Sequence, residues 1–181
     1  MKPIVTATLV LANVAVFAVE LANGVDGHVR EAWGLTPAHA TAVSLLTSMF
    51  LHAGWVHLVG NMVCLAFAGF VVERSIGHLA FLALYLVAGV AGGLLHVQVD
   101  PTSVDSMVGA SGAICGVLAV FGALRPRLLG FVVGFVLVNV WYALAGGGGE
   151  VSFGTHLGGF AVGVLAVAVA RATGSEALEA T

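Results

Sequence analysis

Long apolar stretches separated by short polar ones run along the whole of this 181-residue chain. A helix that crosses a bilayer needs about 20 largely apolar residues, because each residue adds about 1.5 Å along the axis. Six stretches come close to that requirement: Ile4–Ala22, His57–Val72, Leu79–Val97, Ser111–Leu124, Leu128–Leu144 and His156–Ala170. The pattern predicts an all-α, polytopic membrane protein with a bundle of six transmembrane helices.

The first two stretches are separated by a long segment, Asn23–Val56, that is itself half apolar. Large apolar side chains such as Trp33 and Trp55 favour the membrane interface, so we predict a partly helical interfacial loop there. The Ile4–Ala22 run is longer than the roughly 7–15 apolar residues of a signal peptide and is interpreted as the first membrane helix. Residues 1–181 contain no internal repeat and no long linker, which predicts a single membrane domain.

Composition agrees with a membrane protein, since 60% of the residues are hydrophobic and 8% are charged. Soluble domains carry about 25% charged residues, so most of this surface must face lipid. The net charge of −3 and the lack of a basic run argue against nucleic acid as a partner. Cys64 and Cys115 lie inside apolar segments and are predicted to pack there rather than to form a disulfide or bind a metal.

The basic residues predict an orientation, because cytoplasmic loops of membrane proteins carry more lysine and arginine. With the N-terminus in the cytoplasm, five basic residues lie inside and one lies outside: Lys2, Arg74, Arg125, Arg127 and Arg171, against Arg30. The outer loops then hold acidic residues: Asp26, Asp100, Asp105 and Glu150. We therefore predict a multi-pass protein of the cell membrane with both termini in the cytoplasm.

Three segments that run from outside to inside begin with polar residues and end at charged ones. At 1.5 Å per residue the separations are about 24 Å for His57 and Glu73, about 21 Å for Ser111 and Arg125, and about 22 Å for His156 and Arg171. The hydrocarbon core is about 30 Å thick, so the three polar positions share one depth below its outer edge. Polar groups at such a depth are costly and usually mark a function.

A serine and a histidine are the minimum for nucleophilic catalysis, because the imidazole must take the hydroxyl proton. Ser111 and His156 are the candidates, and no Asp or Glu lies at that depth in their segments or in the His57 segment, so a Ser–His dyad is predicted. His57 and Asn61 share a helix face at i, i+4 and can both donate to an oxyanion. Gly109 flanks the serine, as does Gly112, and both would line the site.

Other interpretations of the same residues stay open at this point. Ser111 could be a small packing residue, since Gly112-x-x-x-Gly116 is a helix-packing pattern, and Asn61 could join helices. Gly159-x-x-x-Gly163 is predicted to pack the sixth helix against the fourth, and His156 could be a core histidine. Seven histidines suggest a metal transporter, but the chain has no H-E-x-x-H motif and no intramembrane carboxylate cluster. No metal and no cofactor is predicted.

Taken together, the motifs resemble those of the rhomboid family of intramembrane serine proteases. The matching stretches are His57-Leu58-Val59-Gly60-Asn61, Gly109-Ala110-Ser111-Gly112, His156 with Gly159 and Gly163, Val72–Gly77, and His52. The position four after the serine, often aromatic in that family, is Cys115, and the family's Trp-Arg pair in the first loop is absent.

The resemblance implies a rhomboid-like bundle that cuts single-span or polytopic membrane proteins near the outer face of the lipid bilayer. Ser111 would be the nucleophile, His156 the base, His57 and Asn61 the oxyanion donors, and His52 a further histidine at the site. Independently of the resemblance, the glycine run Gly146–Gly149 predicts either a flexible hinge that lets the fifth helix move as a substrate gate or simply a loose loop. A catalytically silent, rhomboid-like protein that only binds membrane clients is the alternative.

Overall fold

A computed structural model describes residues 1–23, 28–134, 137 and 153–174. Its α-helices are α1 (Ile4–Ala22), α2 (His28–Trp33), α3 (Ala42–Thr47), α4 (Trp55–Ile76), α5 (His78–Val99), α6 (Ser111–Leu124) and α7 (Phe153–Ala172). Short 3₁₀ turns cover Pro37–His39, Ser48–Phe50 and Pro126–Leu128, and residues 129–134 are helical. Extended pairing within these ranges is confined to an isolated bridge between Leu35 and Met107. The all-α prediction is confirmed for this part of the chain.

Four helices are long and apolar enough to span a bilayer: α1, α4, α5 and α7, with 19, 22, 22 and 20 residues. At 1.5 Å per residue they measure about 28–33 Å, which matches the hydrocarbon core. The protein is therefore an integral, multi-pass membrane protein. The count of six is not reached in the described residues, because α6 has 14 residues and most of the predicted segment Leu128–Leu144 falls outside them.

The predicted bounds of α1 and α6 are confirmed, whereas α4 starts before His57 and ends after Val72. The apolar run stops at Val72 because charged residues follow, but the helix continues through them to Ile76. It ends at Gly77, whose φ of +88° is a conformation that favours glycine. The motif Val72–Gly77 thus closes α4, and α5 begins at the next residue.

The core of the bundle is built around α6. Every residue of α6 except Ser111 and Ala123 is buried, including Cys115, while Cys64 of α4 packs against the same core. Helix α7 packs against α5 and α6, and α4 joins α6 to α1. Large apolar side chains elsewhere are exposed, Val56 by 90%. Such a surface is stable against lipid tails rather than water.

Glycines bring the backbones of α6 and α7 into contact. A Cβ atom built on Gly159 would collide with the carbonyl oxygen of Gly112, and one built on Gly163 would collide with that of Gly116. Small residues permit this close approach of membrane helices. The predicted packing face of Gly159 and Gly163 is therefore confirmed.

The C-terminal end of α4 corrects one assumption behind the expected depth of the polar residues. Glu73 was expected to mark the membrane surface, yet its side chain is 0% exposed. It accepts hydrogen bonds from Val5 N (2.8 Å), Thr6 N (2.7 Å) and Thr6 Oγ1 (2.6 Å), and it pairs with His78 Nδ1 (2.5 Å). The carboxylate satisfies the unpaired amides that begin α1 and joins α1, α4 and α5. Only the exposed Arg74 can mark the surface.

Candidate active site

The loop that ends at α6 determines where Ser111 lies. Gly109 has a φ of +127°, which favours glycine, and its amide donates to the Ser48 carbonyl at 2.8 Å. Further along the loop, Leu35 and Met107 exchange two backbone hydrogen bonds of 2.9 Å each. The long segment between α1 and α4 therefore holds the approach to Ser111 in one conformation.

Ser111 and His156 are hydrogen-bonded, with 2.7 Å between Ser111 Oγ and His156 Nε2. Ser111 is the first residue of α6, and His156 lies on α7 one turn before Gly159. Residues at i and i+3 share a helix face, so the glycine contact also turns His156 towards α6. The histidine is buried and the serine is half-buried. An imidazole nitrogen at this distance can accept the hydroxyl proton.

His57 and Asn61 both face the backbone just before Ser111. A Cβ atom built on Gly109 would lie 2.8 Å from His57 Nε2 and 3.8 Å from Asn61 Nδ2. The Asn61 amide nitrogen is buried and makes no hydrogen bond within the part of the chain that the structure describes. It is therefore a donor held in place with its capacity unused.

The tautomer of His57 follows from its other ring nitrogen. The Ala53 amide donates to His57 Nδ1 at 3.4 Å, so Nδ1 must carry a lone pair. A neutral imidazole then has its proton on Nε2, the nitrogen that faces Gly109. Both side chains of the H-x-x-x-N motif thus turn an N–H towards the same place.

His52 lies behind His57 rather than beside Ser111. It is fully buried, and its ring meets the His57 ring edge to face, with centroids 5.2 Å apart. Burial, and then repulsion from a charged His57, lower the pKa of His52 from 6.5 to about 4. His52 is therefore a neutral, apolar support for His57 at pH 7.

The two glycines predicted to line the site lie in different surroundings. Gly109 borders His57 and Asn61, whereas Gly112 lies in the contact between α6 and α7. A Cβ atom on Gly112 would lie 2.6 Å from Thr155 Cγ2. Gly112 thus contributes by letting α7 approach, as the packing interpretation expected.

One buried residue near the site was missed by the sequence reasoning. Glu20, near the C-terminal end of α1, is 2% exposed, and its Oε2 accepts from the backbone amide of His52 at 3.0 Å. The signal was present, since a carboxylate inside an apolar segment is costly and usually functional. It was overlooked because it stands only two residues before the end of the helix.

Comparison with known proteins agrees with this geometry. The family model described as the Rhomboid domain matches residues 39–173, which is well over half of the chain. The match includes both members of the hydrogen-bonded pair, Ser111 and His156, together with His57 and Asn61.

Individual relatives point the same way. RHOMBOID-like protein 7 of Arabidopsis thaliana is 38% identical over 98 residues, which cover 54% of this chain and 30% of that protein. Rhomboid-like protease 5 of Toxoplasma gondii is 45% identical over 78 residues, which cover 43% of this chain and 9% of that protein. Rhomboid protease GluP of Bacillus subtilis is 32% identical over 132 residues, which cover 68% of this chain and 25% of that protein. The matches span less than a third of each of these relatives, and the family match shows that the chain belongs to the rhomboid family.

Proposed function

We propose that this protein is an intramembrane serine protease in which Ser111 is the nucleophile and His156 the general base. The observation that carries the proposal is the 2.7 Å hydrogen bond between Ser111 Oγ and His156 Nε2. Membership of a family whose members are typically intramembrane serine proteases supports it, as does the likeness to a protein named rhomboid protease.

The reaction would proceed by acyl transfer. Ser111 Oγ attacks the carbonyl carbon of the scissile peptide bond while its proton passes to His156 Nε2. His156 then returns that proton to the leaving amine, and the C–N bond breaks. Water attacks the resulting ester by the same route, giving the free carboxylic acid and restoring Ser111.

The negative oxygen of the tetrahedral intermediate would be held by His57 Nε2–H and Asn61 Nδ2–H. Donors fixed in advance in a buried site stabilise such charge strongly, and losing one typically costs about 10²–10³-fold in rate. The first amides of α6 have no acceptor inside their own helix and supply further donors. The Asn61 amide nitrogen, buried and without a hydrogen bond to any described residue, suits this role.

The substrates we propose are membrane proteins, single-span or polytopic, cut near the outer membrane face. Ser111, His57 and His156 all lie at or near the ends of their helices that the basic residues assign to the outside. The same assignment places both termini in the cytoplasm, with residues 1–181 as one domain of a cell-membrane protein.

A covalent probe tests the catalytic pair. Purified protein in detergent should react with a fluorophosphonate and cut a single-span substrate, because His156 activates Ser111. Ser111→Ala and His156→Ala should both abolish labelling and cleavage, and the double variant should be no worse than either. Ser75→Ala, at the opposite end of α4 from His57, and His39→Ala, which changes an exposed histidine, are the matched controls. Folded wild-type protein that neither labels nor cuts in several lipids would indicate a silent family member.

Orientation is tested separately by cysteine labelling in intact cells. A cysteine introduced at Asp105 should react with an impermeant reagent from outside, and one introduced at Arg127 should not. Reaction at Arg127 from outside would reverse the proposed topology.

A further inference from the structure

Two charged side chains, Glu20 of α1 and Arg30 of α2, hold the short loop that leads into α4. We propose that they form a clamp on residues 52–54 that fixes the tautomer of His57, which makes both of them positioning residues for the oxyanion donor. The inference rests on the proposed function for its kinetic consequences, but not for its structural ones.

Glu20 forms the first half of the clamp. Its carboxylate is 2% exposed and lies in a membrane helix, where an ionisable group is costly. Its Oε2 accepts a hydrogen bond from the backbone amide of His52 at 3.0 Å, outside its own helix. The second oxygen, Oε1, is buried without a hydrogen bond to any described residue. The Glu20 side chain therefore holds the loop before α4 and makes no hydrogen bond to the described residues of its own helix.

Arg30 forms the other half. Its Nη2 donates to the Ala53 carbonyl at 3.4 Å, which lies two peptide groups after the amide held by Glu20. Its own carbonyl accepts from Ser106 Oγ at 2.8 Å, in the loop that leads to Ser111. The two side chains thus hold the peptide groups on either side of the one that carries the Ala53 N–H, Glu20 at an N–H and Arg30 at a C=O.

The clamp acts on His57 through the Ala53 amide. With the loop held on both sides, that N–H points at His57 Nδ1 at 3.4 Å, so the ring proton must be on Nε2. If the peptide turns away, the proton can move to Nδ1, and a lone pair on Nε2 would then face the oxyanion. Such a change destabilises the transition state more than the enzyme–substrate complex. The value of kcat should therefore fall while KM changes little.

Kinetics of volume-matched variants test this chain of contacts. Glu20→Met removes the acceptor and should lower kcat about tenfold with KM within about twofold, part of the roughly 10²–10³-fold that a whole oxyanion donor contributes. Glu20→Gln keeps an acceptor oxygen and should stay within about threefold of wild type. Thr6→Val, on the same helix but at the inner end, is the control for stability and should leave kcat unchanged.

A double-mutant cycle separates positioning from a general structural role. If Glu20 acts through His57, then Glu20→Met should change kcat less than about twofold in a His57→Ala background. An equal loss in both backgrounds, or wild-type kcat in Glu20→Met, would overturn the clamp.

The imidazole ¹⁵N spectrum gives a readout that needs no turnover. The His57 signals are assigned as those that disappear from the spectrum of His57→Ala. In the wild type they should show a protonated Nε2 and an unprotonated Nδ1, and in Glu20→Met they should show a mixture of the two tautomers. An unchanged His57 signal in Glu20→Met would also overturn the proposal. Wild-type protein that shows the tautomer but cuts nothing would contradict the proposed function and leave the clamp supported.

Discussion

Two buried glutamates at opposite ends of the bundle differ in how fully they are bonded. Glu73, at the C-terminal end of α4, which is the inner end in the proposed orientation, makes four hydrogen bonds with three residues of α1 and α5. Glu20, at the C-terminal end of α1, the outer end in that orientation, accepts from one amide and has an oxygen with no hydrogen bond to a described residue. A carboxylate with all its hydrogen bonds made stabilises the fold. One that is only partly bonded, near the proposed active site, trades some stability for the arrangement of that site.

The comparison predicts that the inner glutamate governs stability and the outer one governs rate. The inner end is expected to be rigid, because the buried side chain of Glu73 joins α1, α4 and α5 there. The outer end holds a loop of short helices around Ser111, tied by isolated backbone contacts such as the two hydrogen bonds of the Leu35–Met107 bridge. Variants at both ends of the bundle test this division.

The largest effect is expected at Glu73. Glu73→Met keeps the volume but leaves the first amides of α1 without their acceptor, and breaking a buried, fully bonded charge costs about 3–5 kcal/mol. Reversible unfolding in mixed detergent should show that loss, while kcat per folded molecule stays at the wild-type value. If Glu73→Met has the same free energy of unfolding as the wild type, Glu73 does not hold α1, α4 and α5 together.

Acid should destabilise the fold in part through His52. The pKa of His52 is lowered from 6.5 to about 4 in the folded protein, so the unfolded chain binds more protons between these values. Through this group, stability should be unaffected above pH 6.5 and fall by about 3 kcal/mol as the pH drops towards 4. His52→Phe, which keeps a ring against His57, should make the loss of stability over this pH range smaller by about that amount. The same slope in His52→Phe as in the wild type would mean that His52 is not responsible.

Substitutions in the glycine contact between α6 and α7 should lower both the stability of the fold and the rate of cleavage. Gly159→Ala forces the helices apart, which costs about 1–3 kcal/mol as overpacking usually does, and it should also lengthen the contact between Ser111 and His156. Gly60→Ala, where an added Cβ meets nothing within 4 Å, is the control and should be neutral in stability. Reduced cleavage together with reduced stability is expected for Gly159→Ala alone.

The smallest effect is expected at Thr6. Thr6→Val removes one donor to Glu73 and leaves the two backbone amides and His78 in place, so it should cost about 1 kcal/mol. Its unfolding curve should lie between those of wild type and Glu73→Met. If Thr6→Val loses as much stability as Glu73→Met, the stabilisation by Glu73 is not divided among its four hydrogen bonds as the geometry indicates.

Much of the helical framework could be predicted from the apolar runs alone. The bounds of α1 and α6 follow directly, because lipid imposes a long apolar stretch wherever a helix crosses it. The ends of α4 could not, since the helix continues through Glu73 and Arg74, and a charged residue in a sequence does not reveal whether it meets water or a partner. The predicted fifth segment and the Gly146–Gly149 hinge lie largely outside the described residues and stay predictions.

For the site, the unusual residues can be read from the sequence: Ser111, His156, His57 and Asn61 are polar positions in the first turns of apolar helices. Their catalytic roles remain proposals, but their identification needed no structure, because polar groups are expensive in lipid. The hydrogen bond between Ser111 and His156, and the contacts of Glu73 with α1 and of Glu20 with the loop before α4, are visible only in the three-dimensional structure. Each of these contacts joins residues that lie far apart in the chain, so no local sequence pattern reveals them.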